Sequence, residues 1–521
     1  MAMEKKRIET IAMYLPQYHR IPENDEWWGE GFTDWVAVRK AEAFFEGHNQ
    51  PRVPLGDNYY DILQKETMQW QANLAKQYGV GGFCFYHYYF KNGRKILEKP
   101  AENLLQWKEI DMPFCFCWAN DTWARSWSKL EHSNPWAEKF EQTGTNGREI
   151  LLEQSYGEKE EWKRHFDYLY PFFTDKRYIK VNGSPLFIIY HPEDIPVLAD
   201  MIFSWNQRMM KAGQKKLYVL GVNSAKLLPG LNGILFIHAA AYLIPSLAGK
   251  GAQQIIRNGV RVYDYQEVWD NAICTEAIKG AKTYIGGFVD ADETPRRGKL
   301  AFCLENVSVE SFQRNLYDLA INNMNLGNEF LFLDAWNEWG EGNYLEPDKV
   351  NGYSYLEAVN AVMDKCNNPE LDVQREWDKV CSRHVRKKKD DEQGYLYTEA
   401  AKRRAYCRIY DKWMALMEDG ISLDTYFIKH GIRTIVIYGY MALGKHLYEQ
   451  LRASSVEIIA IMDKRGGIRH QELPVYSLED KIPECDAIIV TPVYDYGEIL
   501  SDLQKKTNVK IISLEQVVFN E

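Results

Sequence analysis

Two glutamates three residues apart, Glu338 and Glu341, lie in the stretch Trp336-Asn337-Glu338-Trp339-Gly340-Glu341-Gly342, directly after the apolar run Phe330–Leu333. Paired carboxylates can protonate and deprotonate glycosidic oxygens, and aromatic rings stack on sugar faces. These residue types together point to carbohydrate chemistry. One glutamate would stay ionised and withdraw a proton. The other would hold one, its pKa raised by the neighbouring charge and by apolar surroundings such as Trp336, Trp339 and Tyr344. A polar, glycine-rich loop after a strand is the plainer reading of the same residues. Glu346 is a third carboxylate, expected to be structural, holding an arginine or a backbone N–H.

The elements that must position this pair are short apolar or aromatic runs separated by amphipathic segments. Candidate strands are Ile8–Leu15, Gly81–Tyr86, Phe114–Trp118, Leu186–Tyr190, Leu217–Gly221, Ile234–His238, Tyr284–Phe288 and Phe330–Leu333. Candidate helices between them include Asp61–Tyr78, Glu160–Tyr170 and Val309–Met324. Eight strands alternating with helices predict a (β/α)8 barrel, with a doubly wound open sheet as the alternative. A barrel gathers functional groups at the C-terminal ends of its strands.

Those ends supply the candidate substrate-binding residues. Tyr14, Gln17 and His19 follow the first strand and could hydrogen-bond sugar hydroxyls. Trp35 and Trp118 are either stacking platforms or core rings. Asn120 and Asp121 suit hydroxyls, although Asp121 could instead cap the next segment. His87 and His238 read equally as site groups or as satisfied buried histidines. Asp290 ends the seventh strand. The pair in Asp290-Ala291-Asp292 could share a hard cation, but the pattern is short and common, and no metal is assigned to it. Arg296 and Arg297 could meet a phosphate or substrate carboxylate; pairing with Asp292 or Glu293 is the plainer role.

The chain has 521 residues and a formal net charge of -10, which implies more than one domain and argues against nucleic acid as the main partner. Its nine cysteines form no regular framework, as in a reducing cytoplasm. Met1–Thr10 is short and charged and does not read as a targeting segment, and no run is long enough to span a bilayer. The basic run Arg383-His384-Val385-Arg386-Lys387-Lys388-Lys389 could touch an anionic inner-membrane surface or a glycolipid pyrophosphate. A solvated helix end is the commoner role for such a run.

Residues 366–430 read as a helical connector, notably Thr398–Met417. Residues 431–521 read as a small Rossmann-like unit. Strand-like Thr434–Tyr438 leads into Gly439-Tyr440-Met441-Ala442-Leu443-Gly444, and a second strand, Val456–Met462, ends at Asp463. Gly439 permits a tight turn, Gly444 lets the helix approach the sheet, and Asp463 stands where a ribose-binding acid would stand. Met441 replaces the middle glycine of the fingerprint, so the glycines read as turn builders at least as well as a nucleotide site.

Residues 5 to about 365 resemble the WbsX-like glycosyltransferase family, whose members are similar to glycoside hydrolase family 99. Four segments carry the resemblance in order. They are Tyr14-Leu15-Pro16-Gln17-Tyr18-His19, Pro22-Glu23-Asn24-Asp25-Glu26-Trp27-Trp28-Gly29-Glu30-Gly31-Phe32-Thr33-Asp34-Trp35, Cys117-Trp118-Ala119-Asn120-Asp121-Thr122-Trp123, and Trp336-Asn337-Glu338-Trp339-Gly340-Glu341-Gly342-Asn343-Tyr344-Leu345-Glu346-Pro347. The resemblance implies a catalytic barrel over residues 1–365 and work on surface polysaccharide such as O-antigen or capsule. The family's E-W-x-E-G segment falls on Glu338–Gly342. It implies that Glu338 acts as base on a substrate 2-hydroxyl, which attacks C1, and that Glu341 protonates the leaving oxygen and then activates water. The family often carries histidine where this chain has Gly340.

The expectation is therefore a carbohydrate-active enzyme that cleaves or transfers glycosidic bonds by a retaining paired-glutamate mechanism. Its partner would be an oligosaccharide or polysaccharide, free or lipid-linked, and its place the cytoplasm or the inner-membrane periphery. That chemistry needs no cofactor. A nucleotide or nucleotide-sugar enters through two alternatives: a nucleotide-sugar-dependent transferase, or a ligand of the terminal unit. A non-catalytic polysaccharide-binding or assembly protein is the remaining alternative.

Overall fold

The computed structural model describes residues 8–124, 150–238, 244, 255–384, 392–464, 470, 472–478 and 480–519. The chain divides into two compact units, residues 1–397 and 398–521.

The first unit is built on nine parallel strand segments: β1 (Glu9–Tyr14), β2 (Val80–Tyr89), β3 (Phe114–Trp118), β4 (Ser184–Ile189), β5 (Tyr218–Val222), β6 (Gly233–Phe236), β7 (Lys282–Ile285), β8 (Gly287–Phe288) and β9 (Phe330–Asp334). The sheet runs β7-β6-β5-β4-β3-β2-β1-β9-β8. Its two ends, β7 and β8, are halves of one strand interrupted at Gly286. The first half pairs with β6 and the second with β9, which closes the barrel. At the break, the Gly286 N–H donates to the Phe236 carbonyl at 2.8 Å. A Cβ at Gly286 would lie 2.7 Å from that oxygen, so a side chain there is excluded. The eight expected strands are all present, each within a few residues of its expected bounds.

Helices cover the outside. They include α1 (Lys65–Gln77), α2 (Lys159–Phe173), α3 (Leu198–Lys211), α4 (Tyr265–Ile273), α5 (Val309–Asn325), α6 (Ser354–Cys366) and α7 (Val373–Arg383). Helix α1 buries Met68, Gln71, Ala72 and Ala75, spaced as one face of an α-helix demands. Asp264 and Ser308 cap α4 and α5 by accepting the third backbone N–H of each helix.

Because side chains alternate across a strand, each one presents one row to the helices and one to the lumen. Tyr14 and Phe85 are register partners and touch at 4.4 Å, and the Tyr14 hydroxyl reaches Gln71 of α1, so this row faces outward. Met13 with Cys84, and Tyr86 with Cys117, form the inward row. On β9, Leu331 pairs with Thr10, whose hydroxyl reaches the Met363 sulfur of α6. Leu331 and Leu333 therefore face the helices, and Phe332 and Asp334 face the lumen.

Asparagines tie neighbouring strand ends together at the mouth. Asn337 accepts from the Leu15 N–H at 2.8 Å and donates to the Leu15 carbonyl at 3.1 Å. Asn120 brackets the backbone of His191 in the same way, and Asn223 that of Ile237. Each side-chain amide imitates a ladder pair where the diverging strands no longer reach one another.

The second unit holds a parallel sheet of β10 (Thr434–Tyr438), β11 (Glu457–Met462), β12 (Val475–Tyr476), β13 (Ala487–Val490) and β14 (Lys510–Ser513), in the order β12-β11-β10-β13-β14. Ile409, Trp413 and Leu416 of the long helix Glu392–Glu418 share a core with Leu443, Leu447 and Ile437. The expected connector thus divides. Its first part, α7, belongs to the barrel unit, and most of its long helix belongs to the second. Of the basic run, Arg383 and His384 are bound to Asp318, and residues 385–389 lie outside the described residues.

Candidate active site

Strand β9 ends at Asp334, and the chain then makes a tight hairpin that carries both glutamates: Asn337–Glu338 pairs antiparallel with Asn343–Tyr344. Three sets of contacts hold this hairpin. The Tyr18 hydroxyl donates to the Asn337 carbonyl at 2.5 Å and accepts from the Trp339 N–H at 3.1 Å. Asp292 donates its N–H to the Glu341 carbonyl at 2.7 Å, and Arg52 donates to the Gly342 carbonyl at 2.9 Å. Beneath lies an aromatic layer in which Trp339 stacks on Tyr344 at 3.7 Å and Trp35 packs against Trp339 at 5.6 Å.

Arg296, from the short helix Thr294–Arg297, bridges the pair. Its guanidinium hydrogen-bonds Glu341, lies 3.5 Å from Glu338 Oε2, and makes two 3.2 Å hydrogen bonds to Asp34. The expected pairing of Arg296 with Asp292 or Glu293 is replaced by this bridge, whereas Arg297 does pair with Glu293 at 3.2 Å. A Cβ at position 340 would lie 2.6 Å from Asp34 Oδ2 and 2.7 Å from Arg296 Nε. Glycine stands at 340 because the arginine–aspartate pair rests directly on its backbone.

The two glutamates differ in environment. Glu341 is partly exposed, while Glu338 is buried and its Oε2 accepts no hydrogen bond. Burial, and after it the charge of Glu341, pushes the Glu338 pKa well above the ordinary carboxylate value, against the opposing pull of Arg296. Burial thus favours the proton on Glu338, and the arginine is set against Glu341.

The expected binding residues separate by strand parity. Gln17 lies beside Tyr88, whose phenol senses the charges of Glu338 and Glu341, so Gln17 belongs to the mouth. Asp121 is there too, partly exposed and 3.0 Å from His191. The others are committed elsewhere. Tyr14 faces α1. His87 faces α2, with its Nε2 2.8 Å from that of His165 and its pKa lowered to about 3 by burial. Trp118 donates to the Tyr89 carbonyl, and His238 contacts the Gly286 carbonyl and the Thr275 hydroxyl. His19 is buried, and its pKa falls to about 4 for that reason. Trp35, Trp336 and Tyr344 lie in the layer below the hairpin, their polar atoms bonded to the Tyr60 carbonyl, Glu346 and Asp348. Asn120 is a strand clamp, and Asp290 pairs with Arg52 at 2.7 Å. Apart from His19, whose buried ring nitrogens make no hydrogen bond, the polar atoms of these residues are occupied on the far side of the strand or beneath the loop, so the structure does not bring them to the mouth as direct sugar contacts.

Glu346 is the expected structural carboxylate, although its donors are side chains. It accepts from Gln71, Trp336, Tyr60 and Trp339 at 2.7–3.0 Å. Asp292, the second half of the acid-x-acid pair, accepts from Gln50 and faces His48 at 3.0 Å. No group of acidic, histidine or cysteine side chains suited to a metal occurs among the described residues.

Lumen-facing residues went unmarked in the sequence: Tyr86, Tyr190 and Asp334. Tyr86 and Tyr190 meet edge-on at 6.1 Å, and Tyr86 senses the charges of both Asp334 and Glu338. No local signal set the tyrosines apart, because the strands that lead to them are buried at nearly every position and read as unbroken apolar or aromatic runs.

In the second unit, a Cβ at Gly444 would lie 2.1 Å from the Gly439 carbonyl, and Gly439 has φ +89°. Both glycines are demanded by the turn itself. The Asp463 carboxylate accepts from the Tyr440 N–H at 3.0 Å, closing that turn.

A closed parallel barrel whose last strand delivers two glutamates to its C-terminal mouth defines a domain of the carbohydrate-active enzymes. The chain belongs to the family described as glycosyltransferase WbsX, whose model matches residues 10–359. It is 30% identical over 375 residues to the uncharacterized protein WxcX of Xanthomonas campestris pv. campestris strain B100, a match spanning 70% of this chain and 50% of that protein. The same protein from strain ATCC 33913 matches equally. The chain thus spans about half the length of the curated relatives it matches. Among solved structures, the GH99 endo-alpha-mannosidase from Bacteroides thetaiotaomicron is 15% identical with a TM-score of 0.42, covering 70% of this chain and 99% of that one. A glycoside hydrolase-like protein is 11% identical with a TM-score of 0.41, covering 69% and 95%.

Proposed function

We propose that this chain cleaves or transfers glycosidic bonds in bacterial surface polysaccharide metabolism, with Glu338 and Glu341 as the paired carboxyl groups. One observation carries the reading. The two glutamates share a single arginine in a tyrosine-lined mouth, one buried and favouring its proton, the other charge-paired. This is the separation of acid from base that glycosidic cleavage needs.

Two features bear on the finer choices. Arg296 is already committed to Asp34, Glu338 and Glu341, so among the described residues a nucleotide diphosphate beside it would meet more carboxylates than cations. The charge balance favours a neutral glycan donor, and a transferase of this design would pass the sugar from glycan to glycan. Burial and the neighbouring Glu341 charge favour the proton on Glu338, which supports an assignment opposite to the one implied by the family resemblance.

Product analysis on a panel of bacterial surface glycans and α-linked manno-oligosaccharides tests the proposal. New reducing ends or transfer products, absent with Glu338→Gln and Glu341→Gln, support it. Glycan binding without turnover in the parent protein would move the assignment to a binding or assembly role. Aryl glycosides with activated leaving groups then separate the roles. The variant lacking the general acid keeps cleaving them, and the electrostatics single out Glu338→Gln.

A further inference from the structure

Asp334 is the last residue of β9 and has no place in the paired-glutamate chemistry. Its row on the strand is fixed by Leu331 and Leu333, which face the helices, so its carboxyl enters the lumen above Phe332. There it lies among Cys84, Tyr86 and Cys117 and is felt by Glu338. The residue is 8% exposed, and its buried Oδ1 accepts no hydrogen bond. Nearby carboxyls of the same loop region are treated differently: Glu346 accepts from four donors, and Asp348 from the Tyr344 hydroxyl and two backbone N–H groups. A buried carboxyl oxygen without a donor is destabilising, a cost recovered when a ligand supplies the donor.

We propose that Asp334 is a substrate-binding residue at the floor of the mouth, which hydrogen-bonds a hydroxyl of the sugar seated against Glu338 and Glu341. This rests on the glycan-processing function proposed above and adds a determinant of which sugar is accepted. Burial, with the charge of Glu341 second, pushes the Asp334 pKa up to about 8. At neutral pH the group is therefore mainly a neutral acid, able both to donate to and accept from one hydroxyl. Tyr86 and Tyr190, edge-on to one another beside it, supply ring surface for the same sugar.

The test uses the full chain and titrates methyl glycosides of mannose, glucose, galactose and N-acetylglucosamine, each with its monodeoxy analogues. Binding is followed calorimetrically in the parent, Asp334→Asn and Asp334→Leu, with the fold of each variant verified by its thermal transition. In the parent, loss of one particular hydroxyl weakens binding 10-fold or more. In Asp334→Leu the intact sugar is already weakened to that extent, and the same deoxy analogue costs nothing further. Asp334→Asn, which keeps a donor and an acceptor, stays within a few-fold of the parent. A deoxy penalty that persists undiminished in Asp334→Leu overturns the assignment while leaving the glycan function standing. Failure of the parent to bind any glycan in this set or in the polysaccharide panel overturns both.

Discussion

Two carboxylates of one loop, Glu346 and Glu338, are both buried and eight residues apart, yet the protein treats them in opposite ways. Glu346 sits in the aromatic layer under the hairpin and accepts from two indoles, a phenol and an amide. Glu338 sits one layer up at the mouth, with Oε2 lacking any hydrogen bond and Arg296 Nη2 3.5 Å away. Burial raises both, Glu346 to about 7 despite its four donors. A fully donated buried carboxylate rigidifies its surroundings, whereas one left short of donors is destabilising unless something else uses it. The comparison separates the groups that build the mouth from those that work in it.

The largest expected effect breaks the pair at the mouth. Glu338→Gln and Glu341→Gln should each lower turnover of a natural glycan by about a thousand-fold. Glu338→Gln should leave the thermal transition unchanged or raise it, because a buried charge-prone group is replaced by a neutral one. A large loss of stability in Glu338→Gln would show that it belongs with Glu346. The converse test is Glu346→Gln, which leaves two of the four donors facing an amide NH2. Urea titration should show a loss of about 2–4 kcal/mol. An unchanged midpoint would dissolve the distinction.

Gly340→Ala sharpens the comparison from the side of the bridge. The added methyl meets Asp34 Oδ2 and Arg296 Nε below 3 Å and must shift the guanidinium away from the glutamates. A displacement near 1 Å should lower kcat/KM about 10- to 100-fold with little change in unfolding midpoint. Full activity would mean that the arginine does not position the pair.

The smallest effect concerns a charge pair far from the mouth. His384 lies between Asp270 at 3.0 Å and Asp318 at 2.9 Å. Its hydrogen bonds to those two carboxylates hold its pKa up at about 9, against an ordinary value of 6.5. Its contribution to stability is therefore complete below pH 6.5 and is lost as the pH rises through 9. His384→Gln should destabilise by roughly 1–2 kcal/mol at pH 6 and by almost nothing at pH 10. Equal losses at both values would assign His384 to packing alone.

Much of this was legible in the linear chain. The eight strands announced themselves as short apolar runs separated by amphipathic segments, and the glutamate pair and its tryptophans lie within one short segment. The Rossmann-like turn showed in Gly439, Gly444 and Asp463. Which neighbours in a strand face the lumen was not legible, because barrel strands are buried on both faces and read as continuous apolar runs without alternation. His87 and Trp118 looked chemical and face the helices. Tyr86, Tyr190 and Asp334 face the mouth and carried no local mark.

Short-range chemistry, then, was determined by the sequence alone: two glutamates at a strand end, glycines where turns demand them, and amphipathic helices between buried strands. Tertiary structure decided which carboxyls are charged, satisfied or left waiting. Arg296 meets Asp34 across 262 residues of chain, and Gln71 meets Glu346 across 275. The physical reason is that a carboxylate's proton and partners depend on burial and on charges brought near by folding, and neither is a property of its neighbours in sequence.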